Sequence, residues 1–342
     1  MTRPLARTLE IRTSPHVVSG YAVEAIMGNV LLALAPATLF GLWAFGTGAA
    51  LVLATAVATC LLAERVAGAW TGRRGTLGDY SAAVTGLLYG LTLPPSLPLW
   101  MVVVGGLISI WIGKSLFGGL GSNPFNPALV GRAVLQATFP VPMTTWIVPF
   151  AADRFAAIPS SVLALPFTRP VVDATTAATP LSLWKFSHQP TGEVDLALGL
   201  VGGSLGETST VLLLLGGLWL VARNLMSWRI PVAIFAVVAV GSAALHASDP
   251  ARYASAPFML LSGGLMLGAL FMATDMVTAP VTQRGRWAYG ALIGALVVVI
   301  RVWGGMPEGV MYAILLGNAA APHFDRMLAA RVFGTARRKG VA

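Results

Sequence analysis

Apolar runs long enough to cross a lipid bilayer recur along almost the whole chain, and they leave few folds open. In hydrocarbon every backbone N–H and C=O must be paired within the protein, so only helices and closed barrels span. A crossing helix takes about 20 apolar residues. The segments 25–45, 46–63, 80–93, 98–114, 127–140, 196–222, 230–246, 257–275, 287–303 and 308–324 read as ten such spans, several of them short or interrupted by Gly and Pro. The charge content agrees, because only 10% of the 342 residues are charged where a soluble domain has about a quarter. The expected class is an all-α polytopic membrane protein. The polar, basic stretch before Ala25 and the length of the run from Ala25 to Phe45 do not fit a signal peptide, whose apolar core is about 7–15 residues.

The 22 Lys and Arg residues flank the spans, so the net charge of +9 reads as membrane topology, with lipids as surroundings, and speaks against nucleic acid. With the N-terminus in the cytoplasm, 17 of them fall on the cytoplasmic side and 5 outside, namely Arg154, Arg169, Lys185, Arg252 and Arg301. Both termini are then expected inside and the interval 141–195 outside. That interval divides the spans into five and five, and an odd number per half makes any repeat an inverted one. The expected organisation is a cytoplasmic arm 1–24, a five-helix repeat 25–140, an outer loop 141–195, a second five-helix repeat 196–325 and a basic tail 326–342. A Pro94-Pro95 stop followed by a helix from Trp100 is echoed by Pro280 and a helix from Trp287. The third span, Ser81 to Leu93, covers about 20 Å at 1.5 Å per residue and is expected to be a half-helix whose end lines a cavity.

Chemistry is sparse along the chain. Cys60 is the only cysteine, which excludes disulfides, Cys-ligated clusters and structural zinc within the chain. The four histidines are not placed as facing pairs inside spans, so haem is not expected. Lys114 to Pro127 reads as a Gly-rich cytoplasmic loop whose Asn126-Pro127 opens a helix, without the Gly-Lys-Ser/Thr ending of a phosphate-binding loop. Glu207, in Gly202 to Ser209, interrupts the sixth apolar run. It is either an ion or proton carrier or, with Ser204, a capping box for the following helix. Asp275 and Glu308 sit at span ends, where a capping or solvated carboxylate is the commoner role; Glu24 and Asp79 share that ambiguity. Asp173-Ala174-Thr175-Thr176-Ala177-Ala178-Thr179-Pro180-Leu181, in the outer loop, offers hydroxyls flanked by small residues, which suits attachment of a bulky group.

Ser14-Pro15-His16, Asp79 to Gly86, Lys114 to Pro127, Gly203 to Ser209 and Pro307 to Val310, in this order, resemble the D subunit of the Rnf complex, a membrane ferredoxin:NAD oxidoreductase coupled to ion transport. They also resemble the related B subunit of the sodium-translocating NADH:quinone reductase; the length and short N-terminal arm favour the former. The resemblance implies a bacterial inner-membrane chain that works with the other Rnf subunits. It implies FMN joined through its phosphate to a threonine in the pattern D-x-x-[ST]-G-A-T, by a flavin transferase. Asp173, Thr176, Ala178 and Thr179 match that pattern, which makes Thr179 the attachment residue, while Ala177 replaces the glycine. A second, non-covalent flavin, riboflavin, is implied in the membrane part, with the start of the third span and the Gly203 to Ser209 break as expected places. Na⁺ or H⁺ would be moved, with Glu207 and Asp275 as ion-path candidates. A channel or transporter without redox chemistry, and a scaffold that only anchors partners, are the competing readings.

Overall fold

The computed structural model describes residues 22–72, 76–166, 168 and 176–329. Most of the arm, most of the tail, Arg169 and Asp173 lie outside the described residues. The first half comprises α1 (Val23–Phe45), α2 (Thr47–Trp70), α3 (Ser81–Leu91), α4 (Leu99–Trp111) and α5 (Pro127–Thr138). The outer interval holds the short helices α6 (Pro140–Met143), α7 (Pro180–Ser187) and α8 (Glu193–Leu198), and a two-residue antiparallel pairing of β1 (Trp146–Ile147) with β2 (Thr176–Ala177). The second half comprises α9 (Thr210–Ala222), α10 (Arg229–Ser248), α11 (Ala256–Leu261), α12 (Leu265–Leu267) running into a π turn at Gly268–Met272, α13 (Gln283–Trp303) and α14 (Val310–Met327). Among the described residues, five helices are long and apolar enough to cross a membrane: Val23–Phe45, Thr47–Trp70, Leu99–Phe117, Arg229–Ser248 and Gln283–Trp303. The chain is a mostly helical membrane protein.

Each half packs in a similar pattern. α2 lies against α3 and α4, and α4 against α5; α10 lies against α11 and α13, and α13 against α14. The halves meet through α1 on α9 and α5 on α14. Small residues allow these approaches: a Cβ on Gly86 would lie 2.8 Å from the Val57 Cα, and one on Gly290 2.7 Å from the Ile230 carbonyl oxygen. In lipid, where tails are as apolar as leucine, such close backbone packing takes the place of a hydrophobic drive.

Two expected spans are broken. The run 196–222 is split between the end of α8 at Leu198 and α9 from Thr210, because residues 199–209 form an irregular, mostly buried loop. That loop starts at Gly199, whose φ of +83° is open to glycine and whose Cβ would collide with Thr208 at 2.2 Å. The run 257–275 breaks between Leu261 and Leu265, with Gly263 at φ +67°. Apolar composition set both expectations, yet an apolar segment can leave the helix wherever other segments take over its backbone groups.

The expected half-helix is present, since α3 stops at Leu91 and residues 92–97 turn back while buried. Its last carbonyls are not left orphaned. Gly206 donates its N–H to the Leu91 oxygen at 2.6 Å, and Leu205 donates to the Leu93 oxygen at 3.3 Å. A break in the second half thus satisfies the end of a half-helix in the first.

Candidate functional site

Glu207 sits in the 199–209 loop where the broken segments converge. Its Oε2 accepts from the Ser204 N–H at 3.4 Å, while Oε1 is buried without a hydrogen-bond partner. Ser204 and Glu207 therefore close a turn, and the capping of α9 falls to Ser209, whose Oγ accepts from Leu212 N–H at 3.4 Å. Ideal Cβ atoms built on Gly203 and Gly264 lie 2.9 and 3.4 Å from Glu207 carboxylate oxygens, so both glycines leave room for this acid.

Glu308 faces the same break from the start of α14. Its Oε1 accepts from the Gly264 N–H at 2.8 Å and from Arg301 at 3.4 Å. Arg301 is buried and also donates to the carbonyl oxygens of Met259 and Ser262, at 2.5 and 2.9 Å. One ion pair thus supplies donors and acceptors to the broken ends of α11 and α12, which hydrocarbon could not. Glu308 holds the neighbouring half-helix and leaves α14 uncapped, an arrangement invisible in a local sequence pattern because 44 residues separate it from Gly264.

Thr179 precedes α7. Its Oγ1 accepts from the Ser182 N–H at 3.3 Å and lies 2.6 Å from the Ser182 hydroxyl. β2 fixes the approach, with Ala177 opposite Trp146 and Thr176 opposite Ile147. Ala177 and Ala178 lie beside Thr179 on a cavity of about 530 Å³. Arg132, Trp146, Phe186, Glu308 and Tyr312 complete its walls, and the Arg132 Nε is buried without a hydrogen-bond partner. Thr179 and Glu308 therefore share one chamber, and a Cβ on Gly264, whose N–H Glu308 holds, would lie 3.4 Å from Glu207.

Asp275 is elsewhere. It closes its own turn, accepting from Val277 N–H at 3.2 Å and from Thr278 Oγ1 at 3.3 Å. It lines a cavity of about 90 Å³ at the opposite end of the bundle with Ser81, Thr85, Lys114 and Asn126. The two places expected for a second flavin also fall apart. Ser81 and Thr85 line this 90 Å³ cavity, whereas Ser204 lines one of about 20 Å³. Both are well below the roughly 300 Å³ at which ligand pockets begin.

Lys114 is not a loop residue in solvent. It is 1% exposed and donates to Glu64 Oε1 at 2.9 Å and to Ser81 Oγ at 2.7 Å, while Asp79 Oδ1 accepts from the Ser81 N–H and hydroxyl. Sequence reading missed Glu64, since its partner lies 50 positions away. The expected span 46–63 stops one residue short of it, whereas α2 runs on to Trp70 and carries the acid buried inside the helix.

The residues that line the cavities carry no metal cluster: among the described residues no group of three His, Cys, Asp or Glu converges. Comparison with known proteins supplies the frame for this geometry. The D subunit of the ion-translocating oxidoreductase complex of Halorhodospira halophila is 39% identical over 96% of both chains. The D subunit of the proton-translocating ferredoxin:NAD(+) oxidoreductase complex of Clostridium ljungdahlii is 40% identical over 96% of both. The D subunit of the Na(+)-translocating ferredoxin:NAD(+) oxidoreductase complex of Acetobacterium woodii is 38% identical over 97% of both. A family model described as NQR2, RnfD, RnfE family matches residues 10–334, and the chain belongs to that family.

Proposed function

We propose that this chain is the flavin-carrying membrane subunit of an ion-translocating electron-transport complex of the bacterial inner membrane, with FMN joined through its phosphate to Thr179 Oγ1. The carrying observation is the chamber of about 530 Å³ that Thr179 shares with Arg132 and Glu308. Its volume lies within the roughly 300–1,000 Å³ of cofactor sites. Its wall offers an aromatic surface in Trp146, Phe186 and Tyr312 and a cation whose Nε lacks a partner in Arg132. Those residues fit a phosphate and a planar ring system. A bound flavin would supply one-electron relay chemistry, and the protein's share is to anchor, orient and tune it.

In this reading Thr179 anchors from the start of α7, whose N-terminal amides favour a phosphate. Arg132 offsets its charge. Glu207 and Glu308, on either side of the Ser262–Gly264 break, are the carboxylates through which charge movement would couple to a cation, Na⁺ or H⁺, because a half-helix break next to paired acids is where ions bind in membrane folds. The relatives named for H⁺ and for Na⁺ match at nearly equal identity, 40% and 38%. The same reading takes α1–α5 and α9–α14 as inverted repeats of five spans, with both termini cytoplasmic and the flavin loop periplasmic. The parallel packing, the broken third helix in each half, and one buried cation beyond or near the end of each fourth helix, Lys114 and Arg301, support it.

In-gel fluorescence tests attachment. The denatured wild-type band is expected to fluoresce as flavin and the Thr179→Ala band to be dark; a fluorescent Thr179→Ala band removes Thr179 from the reading. A dark wild-type band would instead favour a channel or transporter. For coupling, Glu207→Gln in the assembled complex is expected to lower ion transport while the fluorescent band persists, and unchanged transport eliminates Glu207.

A further inference from the structure

At the end of the bundle that carries the outer loop, a second cavity of about 250 Å³ opens between α7, the last turns of α10 and α13, and the turn before α11. It is lined by Lys185, His188, Arg252 and Arg301, with Leu245 and Met259 as an apolar wall. Three of the five Lys and Arg residues that charge counting places on the outer side thus meet in one hollow, and no Asp or Glu is among its lining residues. Lys185 holds its ammonium against the carbonyl oxygens of Arg301, Gly304 and Met306. Arg301 is 4% exposed, and its Nε has no hydrogen-bond partner although its other nitrogens do. Arg252 is exposed, its guanidinium 5.4 Å from the Tyr253 ring. The His188 ring meets Trp184 at 6.0 Å.

Glu308 answers part of the Arg301 charge at 3.4 Å, but the hollow as a whole keeps unanswered positive charge beside an apolar wall. A low-dielectric concavity of one sign concentrates the opposite ion, and guanidinium forks match phosphate oxygens. We propose that this cavity binds a phosphate group, carried by an anionic phospholipid of the outer leaflet or present as the free ion. The cavity is distinct from the chamber of Thr179, although Pro307 lines both.

Native mass spectrometry of the purified full-length chain tests it, with dioleoyl phosphatidylglycerol, dioleoyl phosphatidylcholine and inorganic phosphate as probes on wild type, Arg252→Ala and Arg252→Glu. Preference for phosphatidylglycerol over phosphatidylcholine, weakened about fivefold by Arg252→Ala as expected for one surface cation and further by Arg252→Glu, supports the proposal and assigns the lipid. Saturable inorganic phosphate binding that weakens in the same order, without preference between the lipids, supports it and assigns the free ion. Equal binding by wild type and both variants, each folded by its thermal transition, overturns it. Flavin fluorescence of the Arg252 variants stays at the wild-type level.

Discussion

At the scale of single residues, buried charge is the sharpest test of the fold. Lys114 and Glu64 are 1% and 5% exposed and answer each other at 2.9 Å. Lys114→Met leaves Glu64 buried without its cation, which costs about 3–5 kcal/mol, whereas removing both charges is far cheaper. Thermal unfolding in detergent is expected to place Lys114→Met well below the double variant Lys114→Met with Glu64→Leu; equal losses would mean that the pair is solvated. Ala177 gives a second test. The methyl that replaces the glycine of the attachment pattern has room because Gly202 has no side chain, and a Cβ there would lie 2.9 Å from the Ala177 Cβ. Gly202→Ala is expected to displace β2 and lower the flavin fluorescence of the band, and adding Ala177→Gly is expected to restore it.

At the scale of elements, helix ends decide the architecture. α13 stops where the Lys185 ammonium gathers the carbonyl oxygens of Arg301, Gly304 and Met306, a C-cap delivered from 116 to 121 residues away. Partial burial lowers the Lys185 pKa from the ordinary lysine value, while the three carbonyls favour its charged form. Lys185→Met is expected to cost about 1–3 kcal/mol, the penalty of carbonyls left without a donor. Faster amide hydrogen exchange over residues 301–306 would report it, and unchanged exchange would show that water replaces the cap. The elements also show what the sequence made legible. Eight of the expected spans correspond to helices because length and composition carry that information. The interruption at Gly202 to Ser209 is legible as a Gly-rich polar run but not as the loss of helix over 199–209, and the break at 262–264 is not legible at all, since Leu260, Leu261 and Leu265 continue the apolar pattern. What frees the backbone at both breaks is pairing with Leu91, Leu93, Arg301 and Glu308 from other parts of the chain. Only the family resemblance singles out the Thr179 hydroxyl among its neighbours, and the chamber around it is not legible in the sequence at all. Arg132 and Tyr312 come from two different helices.

At the scale of the whole molecule, orientation and cofactor remain joined, because a loop on the far side of the membrane is reached only if the charge count is right. Cys60 is buried and is the only cysteine, so new cysteines report cleanly. A membrane-impermeant thiol reagent added to whole spheroplasts is expected to label Gln189→Cys and to spare Arg229→Cys; the reverse pattern would invert the topology. Mass spectrometry of the peptide that contains Thr179, from the protein purified out of its native membrane, is predicted to find a flavin phosphate ester on the Thr179 hydroxyl. An unmodified peptide, or the same mass on another hydroxyl, would contradict the account.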